Sequence, residues 1–215
     1  MISFPLEQVR TLLVVGAHAD DIEIGCGATI LEISKRRPDI NLRWVVFSGN
    51  GSRANEARQS AGEFLTDFQS QQVQLHDFSD GYFPAEWSDI KSTFERLKKS
   101  IQPDLILTHY GQDFHQDHRL VSELTWNTFR DHLILEYEIP KYDGDLGQPN
   151  LYMPVEEKLC RQKIDLLLKH FPSQLDKPWF DRELFQGLMR LRGAECAAPQ
   201  RYAEAFYARK ACIVP

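Results

Sequence analysis

The sequence predicts an α/β fold: a Rossmann-like, doubly wound, mostly parallel sheet with helices on both faces. Three observations carry this. Short apolar runs of strand character alternate with segments of helical periodicity. The intervening helical segments are long enough for crossovers between parallel strands. At 215 residues, 42% hydrophobic and 26% charged, the chain suits one sizeable core, so residues 1–215 are read as a single domain.

Taken in order, Thr11–Val15 reads as the first strand. Cys26–Arg37 reads as the first helix, with Ile30, Leu31 and Ser34 at helical spacing and Pro38 as its stop. Leu42–Phe47 is the second strand, Ala54–Phe68 an amphipathic helix and Val73–Leu75 a short third strand. Ser79–Gly81 reads as a turn. Glu86–Ile101 sets Trp87, Ile90, Phe94, Leu97 and Ile101 on one stripe, and Asp104–Thr108 follows as a buried strand ending at His109. A helix reaching His132 and a strand over Leu133–Ile139 come next. Lys141–Asn150 is polar and turn-rich, and reads as a long surface loop. Val155–His170 and Phe180–Leu191 read as helices, and Phe206–Val214 as a terminal strand. Residues 139–200 match no general motif. Substrate choice is expected there, and its apolar helices suit a lid or a homo-oligomer contact.

Composition narrows the function. A net charge of −6 with scattered Lys and Arg gives no attraction to polyphosphate, so no nucleic-acid partner is expected. No window approaches the roughly 20 apolar residues of a membrane span, and Met1–Glu7 has no basic segment leading into an apolar one. A soluble, cytoplasmic protein is expected. Cys26, Cys160, Cys196 and Cys212 lie far apart without a C-x-x-C, which predicts free thiols in or near the core.

Two clusters carry the chemistry. Val14-Val15-Gly16-Ala17 runs into His18-Ala19-Asp20-Asp21, and the later apolar run is followed by Asp113-Phe114-His115-Gln116-Asp117-His118. Ligands of open α/β sheets bind beyond the carboxyl ends of the strands, where both clusters fall. A hydrolytic metal site needs about three protein ligands and one open position. His18, one of the two acids Asp20 and Asp21, and one of the imidazoles His115 and His118 can supply that set. The spare acid and imidazole then suit a base beside the attacking water and a donor facing the developing oxyanion. The chain reads as a metal-dependent hydrolase.

Ala17-His18-Ala19-Asp20-Asp21-Ile22-Glu23-Ile24-Gly25-Cys26-Gly27, together with Asp113-Phe114-His115-Gln116-Asp117-His118-Arg119, strongly resembles the two signature motifs of the PIG-L/LmbE-like zinc N-deacetylases. Arg53-Ala54-Asn55-Glu56 resembles the family's Arg-x-x-Glu element, Asp80-Gly81 its Asp-Gly turn, and Ala203-Glu204-Ala205-Phe206 its Ala-Glu-x-Phe element. The resemblance implies that His18, Asp21 and His118 bind zinc, with ferrous iron as the alternative ion. It implies Asp20 as general base, His115 as oxyanion donor or acid to the leaving amine, and Asp117 as the carboxylate that orients a neighbouring imidazole. Arg53 would meet a phosphate or carboxylate of the substrate and Asp80 a sugar hydroxyl, a role Asp113 would share. The implied reaction removes the N-acetyl group of an N-acetylglucosamine-type (N-acetylhexosamine) conjugate, a small molecule, giving acetate and a free amine. Two positions depart from the pattern. Ala19 stands where the family usually has Pro, and Ala28 where Gly is frequent, which crowds the turn if its backbone needs positive φ.

Plainer readings compete. Either Asp of the first cluster could cap the following helix, and Asp117 the helix through Val121 and Leu124. Arg53 also reads as a helix-end charge and Asp80 as a turn former. Gly25-x-Gly27 lacks the rest of a dinucleotide fingerprint. His76, His109, His132 and His170 read as structural or exposed, and Trp44, Trp87, Trp126 and Trp179 as core or interface residues. Two other functions fit parts of the pattern. A non-haem Fe(II) enzyme uses similar donors, but with the first His and the carboxylate one residue apart on a β-rich scaffold. A non-catalytic metal- or sugar-binding module has no chemical need for both Asp20 and His115.

Overall fold

Five strands pair in parallel: β1 (Thr11–His18), β2 (Asn41–Ser48), β3 (Ser70–Leu75), β4 (Leu105–His109) and β5 (Leu133–Tyr137), all but the edge strand β3 largely apolar. A computed structural model of the chain describes residues 6–212. Two later strands, β6 (Leu151–Val155) and β7 (Tyr202–Ala208), complete a seven-stranded sheet in the order β3-β2-β1-β4-β5-β7-β6. β7 runs antiparallel to both β5 and β6. The helices are α1 (Asp21–Arg36), α2 (Gly51–Phe64), α3 (Trp87–Ser100), α4 (Gln116–Thr128), α5 (Glu157–His170) and α6 (Arg182–Glu195).

Both faces of the sheet are covered, as parallel pairing requires. Along β1, Leu12 and Val14 enter the core under α1, α2, α5 and α6, whereas Leu13, Val15 and Ala17 enter the core under α3 and α4. The sheet is therefore doubly wound. β1 has β2 on one side and β4 on the other, so the winding reverses between β1 and β4 and opens a crevice beyond their carboxyl ends.

Several elements differ from the sequence reading, each for a physical reason. The first helix starts at Asp21 rather than Cys26. Gly25 and Gly27 lower the helical signal of its first turns, yet both are close-packed. A Cβ on Gly25 would lie 2.1 Å from a Tyr137 ring carbon, and one on Gly27 would lie 2.8 Å from Phe64. The helix unwinds at Cys26 (φ −144°, ψ 18°) and restarts. Glu204 of β7 serves that restart: its carboxylate accepts from the Ala28 N–H at 3.0 Å and the Thr29 N–H at 2.6 Å. Ala28 takes no positive φ, so its methyl crowds no turn.

The terminal strand is Tyr202–Ala208, not Phe206–Val214, and residues 213–215 lie outside the described part. Its alanines and buried Glu204 hide the strand pattern. β6 carries Pro154, which suppresses strand character, but an edge position tolerates a missing N–H. The helix expected from Val155 thus begins at Glu157, and the one expected to reach His132 ends at Thr128. The amphipathic helix expected over Ala54–Phe68 runs Gly51–Phe64. All four cysteines are free, with Cys26, Cys160 and Cys196 buried and Cys212 exposed. No helix among the described residues is long and apolar enough to cross a membrane.

Candidate metal centre

β1 delivers His18 to the crevice, and the backbone turns at once into α1 with Asp21. The His18 N–H donates to Asp21 Oδ2 at 2.6 Å, which fixes the acid beside the imidazole. Asp20 occupies the N-cap position of α1, but its side chain caps nothing. Its Oδ1 accepts instead from Arg53 Nη2 of α2 at 2.6 Å. The second cluster opens α4. Here the cap is His115, whose Nδ1 accepts from the Asp117 N–H at 3.2 Å, so the capping reading of Asp117 does not hold. The same bond leaves the neutral His115 ring with its proton on Nε2.

Asp117 and Asp113 each back an imidazole. Asp117 Oδ2 lies 3.1 Å from His18 Nε2 and accepts from the Gly81 N–H at 2.6 Å, while Oδ1 accepts from the Phe83 N–H at 3.2 Å. This also pins the Asp80-Gly81 turn, where Gly81 takes φ +81° and Asp80 Oδ1 comes within 3.1 Å of His18 Nε2. Asp113 Oδ2 lies 2.9 Å from His118 Nδ1, and Oδ1 accepts from the His115 N–H at 2.7 Å and pairs with Lys141 Nζ at 2.9 Å. Asp113 therefore stands behind His118, at 3% exposure, rather than in the open cavity among substrate-facing groups.

With their far nitrogens on carboxylates, the two rings turn their remaining nitrogens toward each other. His18 Nδ1 and His118 Nε2 are 3.2 Å apart, His18 Nδ1 and Asp21 Oδ2 3.2 Å, and His118 Nε2 and Asp21 Oδ1 3.4 Å. Four-coordinate bonds of about 2.0–2.1 Å place neighbouring donors about 3.3 Å apart, a spacing the facing His18 and His118 nitrogens match, with Asp21 meeting one ring through Oδ2 and the other through Oδ1. Carboxylates on the outer ring nitrogens are what orient metal-binding histidines. Three overlapping groups could hold an ion among the described residues: His18, His115 and His118; His18, Asp80, His115 and Asp117; and Asp21, His109 and His118, so that His18 and Asp21 each share a group with His118 but not with each other.

Electrostatics follows from crowding buried charges. Burial pushes Asp20 above the ordinary carboxylate range, with Arg53 pulling the other way. Burial would also raise Asp21, but His118, His109 and His18 together hold it well below that range. Burial disfavours charged imidazole at His18, yet Asp21, Asp117 and Asp80 raise it. His115 is lowered by burial and by His118 and His18.

His18, Asp20, Asp21, Arg53, Asp80, His115 and His118 line one cavity of about 110 Å³. Five further residues of the site carry no motif in the sequence. His109, read as structural, is fully buried, stacks on His118 with ring centroids 4.1 Å apart, and lies 3.2 Å from Asp21 Oδ2. Burial and the neighbouring His118 push it down to about 4. Its position at the end of an apolar strand run is the same signal that singled out His18. Lys141, Gln174, Lys177 and Trp179 also line the cavity, from the region after β5 that carries no motif.

The fold and this constellation define a class. Residues 13–129, more than half of the chain, match the PIG-L family, GlcNAc-PI de-N-acetylase, and the chain belongs to that family. Among particular relatives, the "uncharacterized deacetylase YaiS" of Escherichia coli is 27% identical over 170 residues, which cover 75% of this chain and 90% of YaiS. The N,N′-diacetylchitobiose deacetylase of Pyrococcus horikoshii superposes with a TM-score of 0.69 at 18% identity, covering 94% of this chain and 84% of its own. GalB of Pseudomonas putida, a 4-carboxy-2-hydroxymuconate hydratase, superposes with a TM-score of 0.72 at 15% identity, covering 96% and 98%. At such identities the superpositions speak for the fold.

Proposed function

We propose that the protein is a zinc-dependent N-deacetylase of N-acetylglucosamine-type conjugates, with His18, Asp21 and His118 holding the ion. The observation that carries this is the facing pair of imidazole nitrogens of His18 and His118, with an Asp21 oxygen against each and each ring backed by its own carboxylate. Family membership and the deacetylases among its relatives support the reaction class. The fold does not decide it, because a hydratase shares that fold.

When bound, zinc supplies a Lewis acid that polarises the acetyl carbonyl and makes water acidic at neutral pH. The protein's own groups do the rest. Asp20, anchored by Arg53 and free of any capping bond, takes a proton from the attacking water. His115 offers its Nε2–H to the oxygen that gains negative charge as the carbonyl carbon becomes tetrahedral. The C–N bond then breaks, and the departing nitrogen takes up the proton that left the water. Products are acetate and the free amino sugar. Asp117 and Asp113 hold the two ligand rings in register, and Asp80, at the exposed edge, accepts from a sugar hydroxyl.

Acetate release by zinc-reconstituted protein from a panel of N-acetylglucosamine conjugates, with nucleotide, lipid and disaccharide aglycones, tests this reading. At least one member is expected to yield acetate and amine in equal amounts, with loss on chelation and recovery on adding zinc. Ferrous iron in place of zinc identifies the better ion. Bound metal without acetate from any member would favour the binding module instead.

A further inference from the structure

The connection between α5 and α6 carries no motif, yet it covers one side of the cavity. A 3₁₀ turn over Pro172–Gln174 starts it, and Ser173 fastens it to α2: its N–H and Oγ both donate to the Glu56 carboxylate, at 3.0 and 2.7 Å. Backbone bonds from the Lys177 N–H to Gln174 O and from the Phe180 N–H to Lys177 O, both 2.9 Å, shape the remainder. Phe180, 2% exposed, seats its end against Phe185 of α6. The connection is therefore a built wall, and it presents three different groups to the cavity.

Gln174 is 3% exposed and lines the cavity. Its Nε2 donates to Ser173 Oγ at 3.0 Å, which fixes the amide, and its buried Oε1 has no partner. A buried carbonyl oxygen without a donor is unfavourable, so a donor from a bound molecule would be favoured there. Trp179 is half-buried and lines the cavity beside it. Lys177 Nζ lies 5.5 Å from the centre of that ring.

Charge separates Lys177 from the other cations of the cavity. Arg53 is engaged by Asp20 and Glu56. Lys141 is engaged by Asp113, Asp143 and Asp145. Lys177 makes no ion pair among the described residues and is exposed at the mouth. In an opening floored by carboxylates and imidazoles, Lys177 is thus the lysine or arginine that makes no ion pair among the described residues, although its charge reaches the buried Asp20.

We propose that Phe171–Asp181 is the subsite for the rest of the conjugate, and that it selects an amino sugar bearing an anionic group, a carboxylate or a phosphate. Gln174 Oε1 accepts from a hydroxyl, Trp179 stacks on the apolar face of a ring, and Lys177 pairs with the anion. The proposal rests on the deacetylase reading for which end of the substrate faces the metal centre.

Calorimetric titration of the zinc-reconstituted protein with deacetylated ligands tests the subsite without turnover. Glucosamine 1-phosphate supplies the phosphate arm, carboxymethyl glucosaminide the carboxylate arm and methyl glucosaminide the neutral reference. At least one anionic ligand is expected to bind about tenfold or more tightly than the reference, a preference of about 1.4 kcal/mol. Lys177→Ala is expected to erase that preference and Lys177→Arg to retain it, while Trp179→Ala weakens all three ligands alike. Equal affinities in the wild type, or a preference that survives Lys177→Ala, overturns the proposal. A Lys177-dependent preference together with no acetate release from the N-acetylated counterparts would uphold the subsite and reject the reaction.

Discussion

Asp20→Asn is expected to lower acetate release by a factor of about 10² to 10⁴, the span usual for loss of a general base. The substitution keeps the shape of the side chain and its acceptor oxygen toward Arg53, and removes only the ability to take a proton. Its neighbour Asp21 is a poor substitute, because its carboxylate is already committed to the His18 N–H and faces three imidazoles. Asp80 is no better placed, with Oδ1 on His18 Nε2. Steady-state kinetics on the best conjugate of the panel measures the effect. A loss in kcat with little change in KM is the expected pattern for a group that acts in the transition state. A variant within about threefold of wild type would remove Asp20 from the role.

Glu204→Leu is expected to destabilise the fold by about 3–5 kcal/mol, the usual penalty for stranding one member of a buried ion pair. Glu204 and Lys163 are 4% and 2% exposed, and Lys163 Nζ sits 2.6 Å from Glu204 Oε1 and 2.6 Å from Ile24 O. The leucine would leave an ammonium in the core and also uncap the Ala28 and Thr29 N–H groups at the restart of α1. Both ends of the break in α1 depend on this pair, since Lys163 holds the carbonyl of Ile24 just before it. Glu204→Gln keeps an acceptor for the helix and is expected to lose less. Urea unfolding gives the difference directly, and the melting temperature of the leucine variant is expected to fall by on the order of 10 °C. A change below about 1 kcal/mol would mean that the pair contributes no more than a surface bridge.

Much of this was legible in the sequence where one strong local signal acted alone. The runs that became β1, β2, β4 and β5 are buried on both faces and so stand out without alternation. His18, Asp20, Asp21, His115 and His118 were found because they stop such runs or open the next helix, and the structure places them around one cavity. The first turns of α1 were missed because two glycines serve packing against Tyr137 and Phe64, which no local propensity registers. β7 is hard to place from sequence because its central Glu204 looks solvent-facing until Lys163, far away in sequence, neutralises it. Asp113 reads in sequence as a substrate group, since only the folded chain brings Lys141 behind it and sets it against His118. Gln174, Lys177 and Trp179 reach the site through the anchoring of Ser173 to Glu56, a contact between distant polar residues with no period or motif to announce it.

If Asp21 binds the metal while Asp20 moves the proton, metal content tests that division most directly. Wild type, Asp20→Asn and Asp21→Asn would each be reconstituted with zinc, dialysed and analysed for bound metal. One equivalent in wild type and in Asp20→Asn, with a marked loss in Asp21→Asn, is the predicted result. Retention in Asp21→Asn together with loss in Asp20→Asn would contradict it, and would make Asp20 the ligand and Asp21 the base.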